Sequence, residues 1–255
     1  MRLRAGCALA LTSALVAGGC STSSTGVDAP VAGDVTVFAG SSLADAFGRI
    51  GDEVKKTNPN ARFTFNFGSS STLATQITNG APADVFASAD EANMQKIVDA
   101  DLTDGTPTEF ASNRLEIAVA AGNPKKIAGL TDLARPDVIL VLAAPTVPAG
   151  KYALEALSKA GVTAKPVSQE VDARAVLNKV SLGEADAGIV YVTDVKSAAG
   201  RVTGVVIPEQ HQVVARYPIA VVKDSKNAAL AHRFIDYLAS PAGQAILAEF
   251  GFSTP

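Results

Sequence analysis

The chain has 255 residues, 22 Lys and Arg against 25 Asp and Glu, 47% hydrophobic and 18% charged residues, two Cys, two His and no Trp. That length can bury the core of one large domain or two lobes, and the apolar content together with the lack of a basic block excludes a disordered chain and a nucleic-acid footprint. Two cysteines and two separated histidines, His211 and His232, exclude a disulfide-dense scaffold and a clustered zinc site.

In chain order, residues 1–19 read as an export signal: Arg2 and Arg4 form a positive start, Ala5 to Val16 is apolar, and Ala17-Gly18-Gly19 precede Cys20. The apolar run is too short to span a bilayer of about 30 Å. Small residues before a Cys resemble the lipobox of bacterial lipoproteins, although Ala17 stands where Leu is usual, and this resemblance implies lipidation of Cys20. Cleavage there removes Arg2 and Arg4 and no acid, so the net charge moves from −3 to −5. Residues 20–33 are then a lipidated Cys and a small, polar, flexible tether, with a reach of at most about 45 Å.

From Asp34 onward the hydrophobic period alternates between two and 3.6. Strands are expected at 34–39, 61–67, 84–87, 115–120, 138–143, 187–191 and 213–222. Helices are expected at 43–56, 71–78, 91–99, 152–159, 173–182 and in a pair over 228–250 that breaks at Ser240-Pro241. This alternation argues an α/β protein.

Enzyme motifs fail on inspection. No serine has the Gly-x-Ser-x-Gly frame of a hydrolase elbow. Gly150-Lys151 is similar to the end of a phosphate-binding loop, but Pro145 and Tyr152 occupy positions that need Gly and Ser or Thr. Asp99 to Gly105 reads as a polar turn, because its Gly falls one place late for a calcium loop and Phe110 replaces the bidentate Glu.

The informative pattern is serine at strand-to-helix junctions: Gly40-Ser41-Ser42 and Gly68-Ser69-Ser70-Ser71. A helix N-terminus offers unpaired N–H groups and a partial positive charge, which suits an anion. The ordinary reading of one such junction is N-capping. Two in succession, both beyond the carboxyl ends of strands where open α/β sheets bind ligands, favour a site. Val147 to Gly150 and Asp172-Ala173 could add amides at further helix starts. Tyr191 ends a strand, either in the core or with its hydroxyl in a crevice.

At these residues the chain resembles the molybdate-binding, periplasmic-type substrate-binding proteins of ABC transporters. The resemblance covers nearly all of the mature body. It rests on Val35 to Leu43, Phe67 to Leu73, Gly80 to Asp90, Val147 to Ala153, Gly188 to Tyr191, Tyr217 to Val222 and Glu249 to Phe252. It implies a type II periplasmic-binding-protein fold with two lobes, each a central sheet flanked by helices. Lobe 1 comprises 34–110 plus 217–255, lobe 2 comprises 111–216, and the ligand lies in the interlobe cleft. It also implies a ligand set of Ser42, Ser70, Ala149, Ala173 and Tyr191, with Ser41, Ser69, Val171 and Asp172 as alternatives.

The implied function is extracytoplasmic, high-affinity binding of molybdate and tungstate and delivery to an ABC permease. The chain would be a monomer held to the cell membrane by its lipid, with no enzymatic activity, no cofactor, no nucleic-acid partner, and molybdenum present only as the bound oxyanion. A fully deprotonated dianion only accepts hydrogen bonds, so a ring of donors satisfies it. Sulfate would be satisfied too unless cavity size rejects it, a monohydrogen phosphate brings a proton that needs an acceptor, and Asp172 near the anion would favour such a protonated ligand. Open alternatives are the same fold binding sulfate or phosphate, and an exported hydrolase using a serine at 41, 42, 69, 70 or 71.

Overall fold

The computed structural model describes residues 29–255. The expected signal, Cys20 and most of the tether lie outside the described residues. In the first half of the sheet, β1 (Gly33–Gly40) pairs in parallel with β2 (Ala61–Gly68) and β3 (Val85–Ala87), and β3 pairs antiparallel with β9 (Val214–Val222). Val37, Phe38 and Ala39, successive residues of β1 that point to alternate faces, are all buried, as expected of a parallel strand covered on both faces.

The connections are α1 (Ala44–Thr57) and α2 (Ser70–Thr78), and α3 (Glu91–Asp99) follows β3. In α1 the buried Ala46, Phe47, Ile50 and Val54 recur at helical spacing and face the core. Phe47 packs against Phe110 and Phe234 with ring centroids 5.8 and 5.2 Å apart. Asn58 closes the helix by donating its side-chain amide to the Val54 carbonyl, and Pro59 cannot continue it. The C-terminal helices α7 (Ala228–Ala239) and α8 (Pro241–Glu249) meet at Ser240. Its hydroxyl caps α8 by accepting from the Gly243 N–H, with Pro241 at the first helical position where its missing N–H does no harm.

The second half of the sheet contains β5 (Leu140–Ala143), β6 (Ser168–Glu170), β7 (Ala187–Tyr191) and β8 (Val202–Val206), with α4 (Pro148–Lys159), α5 (Ala173–Ser181) and α6 (Val192–Ser197). One strand pairs into both halves. The long β4 (Thr103–Ala120) pairs with β9 as far as Arg114 and then with β7 and β8 from Leu115. The strand order is β2-β1-β3-β9-β4-β7-β5-β6, with β8 beside β4.

The sequence reading and the structure differ at five elements. β4 begins at Thr103 rather than at 115, since Gly105, Pro107 and a polar run hide it from an alternation test while two register shifts absorb the irregularity. α4 begins at Pro148, four residues ahead of the expected start. The six-residue α6 and the strand β8 were not expected, being too short to show a period. β6, three residues long, was missed for the same reason.

Candidate functional site

One cavity lies where the carboxyl ends of strands from both halves meet. It is lined by Gly40, Ser41 and Ser42 after β1, Gly68 to Ser70 after β2, Ala89 after β3, Val147 to Ala149 after β5, Asp172 and Ala173 after β6, and Tyr191 at the end of β7. Its volume is about 20 Å³, where about 10–15 Å³ on the same measure holds one water. A compact ion fits such a space and a sugar ring does not.

Each lining segment reaches the cavity for a local reason. Ser70 is the first residue of α2 and Ala173 the first of α5, while Ala149 follows Pro148 in the first turn of α4. Their N–H groups therefore have no carbonyl one turn earlier to bond, and three helix N-termini bring partial positive charge to one place.

The hydroxyls divide into two kinds. Ser69 is a true cap: its Oγ accepts from the Thr72 N–H at 3.4 Å and lies 2.7 Å from Ser71 Oγ. Ser70 Oγ instead accepts from the Ala89 N–H at 2.9 Å, which leaves its proton free to donate. Ser42 Oγ lies 2.9 Å from the Tyr217 hydroxyl. Both Ser42 and Ser70 are buried.

Tyr191 decides the character of the site. It is 2% exposed, lines the cavity, and its hydroxyl has no hydrogen-bond partner among the described residues. A buried hydroxyl without a partner is costly, by about 1–3 kcal/mol. Burial pushes its pKa well above the ordinary phenol value, with the neighbouring Tyr217 adding to the shift, so it stays a neutral donor.

No Lys, Arg or His stands among the lining residues. The single carboxylate, Asp172, is the N-cap of α5 and accepts from the Ala175 N–H at 2.9 Å, so its charge is engaged by its own helix. Val171 is 73% exposed and outside the lining. Arg174, next along α5, is spoken for: its guanidinium donates to Asp45 at 2.9 Å and to Ser197 at 2.8 Å, and its Nε lies 3.8 Å from the buried Asp194. This links α1 of one half to α5 and α6 of the other beside the cavity.

The cavity thus gathers Ser41, Ser42, Ser69, Ser70, Ala149, Asp172, Ala173 and Tyr191 from the sequence-derived candidates. Sequence reasoning missed Ala89, whose amide orients Ser70, and Asn113 behind Ser42. A lone Asn in the strand Asn113-Arg-Leu-Glu-Ile was the available signal.

The model of the bacterial extracellular solute-binding protein family matches residues 35–253. The chain belongs to that family. As a solute-binding protein it is not an enzyme, and it works on the extracytoplasmic side. Among the described residues no helix is long and apolar enough to cross a membrane. The solute-binding chain is 44% identical over 247 residues to the molybdate-binding protein ModA of Mycobacterium tuberculosis, covering 96% of this chain and 95% of that one. Among solved structures, the substrate-binding domain of a putative molybdenum ABC transporter from Clostridium difficile matches with TM-score 0.67 and 32% identity, over 87% of this chain and 99% of that one. The sulfate-binding protein SubI from Mycobacterium tuberculosis H37Rv superposes with TM-score 0.77 at 19% identity, over 87% and 86%. That last likeness concerns the fold alone.

Proposed function

We propose that this protein captures molybdate, and tungstate with it, outside the cytoplasm and hands it to an ABC permease. The observation that carries the reading is the cation-free cavity, into which Ser42, Ser70, Ala149, Ala173 and Tyr191 bring hydroxyls and first-turn amides. A dianion supplies acceptors to every one of these groups and needs no counter-charge inside the site. The 44% identity to a molybdate-binding protein over 96% of the chain supports molybdate as the anion.

In this reading residues 34–110 with 217–255 form one lobe and 111–216 the other, and the ligand is held between them. Closure excludes water and strengthens each hydrogen bond. Cys20 carries a lipid, the tether lets a monomer patrol the membrane surface, and confinement raises its effective concentration at the permease. Mass spectrometry of the mature N-terminus reports the lipid directly: an unmodified Cys20 would refute the anchor and leave the binding function standing.

Calorimetric titration with molybdate, tungstate, sulfate and phosphate tests the function. The expected result is sub-micromolar affinity for the first two, stronger than about −8 kcal/mol, and far weaker binding of the others. Tight sulfate binding without a molybdate response would overturn the assignment in favour of the sulfate reading.

A further inference from the structure

The hydrogen bonds behind Ser42 run in one direction. The Arg114 backbone N–H donates to Asn113 Oδ1 at 2.9 Å. A backbone N–H can only donate, so this contact fixes which end of the Asn113 amide is oxygen. The other end, Nδ2, donates to Thr193 Oγ1 at 2.9 Å and to the Tyr217 hydroxyl at 3.4 Å. The Ser42 Oγ–Tyr217 hydroxyl contact at 2.9 Å has a geometry that allows either donor; with Asn113 already donating to it, the Tyr217 hydroxyl has its own proton to place, and Ser42 Oγ is the one acceptor left to it among the described residues, which assigns Tyr217 as the donor.

Ser42 then accepts from Tyr217 and keeps its proton for the cavity that it lines. Asn113 and Tyr217 are 1% and 0% exposed, so no solvent interrupts the chain. Burial also holds the Tyr217 phenol neutral, with its pKa raised above the ordinary value, so the proton that the chain needs is retained. The two residues lie on neighbouring strands, Asn113 on β4, which pairs into both halves of the sheet, and Tyr217 on β9 beside it.

We propose that Tyr217 and Asn113 are specificity-determining positioning residues, which keep the Ser42 hydroxyl a donor and so set the site against oxyanions that carry a proton. The proposal rests on the molybdate reading above and deepens it. For Ser42 to accept a ligand proton, its own proton would have to lose its partner inside a buried site, an outcome that a fully deprotonated anion never demands. Ser70 is held the same way by the Ala89 amide, but there the donor is backbone and cannot be removed by substitution. Tyr217 can.

The test uses the mature chain with four versions: wild type, Ser42→Ala, Tyr217→Phe and the double variant, each titrated with sodium molybdate and with inorganic phosphate at neutral pH. Tyr217→Phe is expected to weaken molybdate by about tenfold or more and to narrow the ratio of molybdate to phosphate affinity. The double variant is expected to bind molybdate no more weakly than Ser42→Ala alone, because Tyr217 acts through Ser42. An unchanged ratio with additive losses would mean that Tyr217 only packs, and would overturn the inference. Should thermal unfolding show that Tyr217→Phe does not fold, Asn113→Ser carries the same cycle with the same expected signs. A wild-type protein that ignores molybdate would overturn the functional reading itself, whereas a molybdate-binding wild type with an unmoved ratio would overturn this inference alone.

Discussion

At the scale of single residues, the unpartnered Tyr191 hydroxyl separates the demands of folding from those of binding. Tyr191→Phe removes a buried polar atom that has no partner among the described residues and leaves the ring packing, 6.1 Å from the Tyr217 ring, in place. The ligand-free protein is therefore expected to be more stable than wild type, by about 1–3 kcal/mol. Molybdate affinity is expected to fall by about tenfold or more, since a charge-assisted hydrogen bond is lost. Thermal unfolding without ligand and calorimetry with it check the two halves, and an unaltered affinity would take Tyr191 out of the ligand set. The serines were legible in the sequence because Gly-Ser-Ser after a strand has few uses. Which serine caps and which donates was not legible, because that depends on the Ala89 amide and on Tyr217, which come from elsewhere in the chain.

At the scale of elements, the position of α4 is set by a contact between backbones. A Cβ on Gly150 would stand 2.0 Å from the Ala144 carbonyl oxygen and 2.3 Å from that of Ala143. No side chain can yield there, so Gly150→Ala must push the first turn of α4 off the end of β5. The expected outcome is destabilisation by about 1–3 kcal/mol or more, together with at least tenfold weaker molybdate binding, because the Ala149 amide moves with the turn. Denaturant unfolding and titration of the same variant measure both, and a stable variant with native affinity would show that α4 does not position the site. The helices that open on Ser70 and Ala173 were readable from their caps and periods. The early start of α4 was hidden because Val147-Pro148-Ala149-Gly150 looks like a loop until Pro148 is recognised as the first helical residue.

At the scale of the whole molecule, Asp194 couples stability to pH. It is fully buried, its Oδ2 accepts from the Tyr191 N–H at 3.1 Å, and its Oδ1 has no hydrogen bond among the described residues. Burial raises its pKa from 3.8 to about 6, a shift that Arg174 only partly opposes. With the folded value above the unfolded one, its stabilising contribution is fully present below 3.8 and is lost as pH rises through about 6. The loss amounts to about 1.4 kcal/mol per unit over that interval. Wild type is therefore expected to lose stability relative to Asp194→Asn as pH is raised from about 4 to about 7, a trend that parallel denaturant melts would reveal. A gap independent of pH would show that Asp194 is ionised throughout.

The sequence by itself determined the α/β class, most helices and strands, and the serine junctions, because hydrophobic period and capping chemistry are local properties of the chain. It also carried the family, through segments spread from Val35 to Phe252. Only the tertiary structure decided that β4 runs through both halves of the sheet, that three helix starts and Tyr191 converge on one cavity, and that Asn113, Tyr217 and Ser42 form a directed chain. Those are contacts between residues about 80 to 175 positions apart, and no local period encodes a partner that distant.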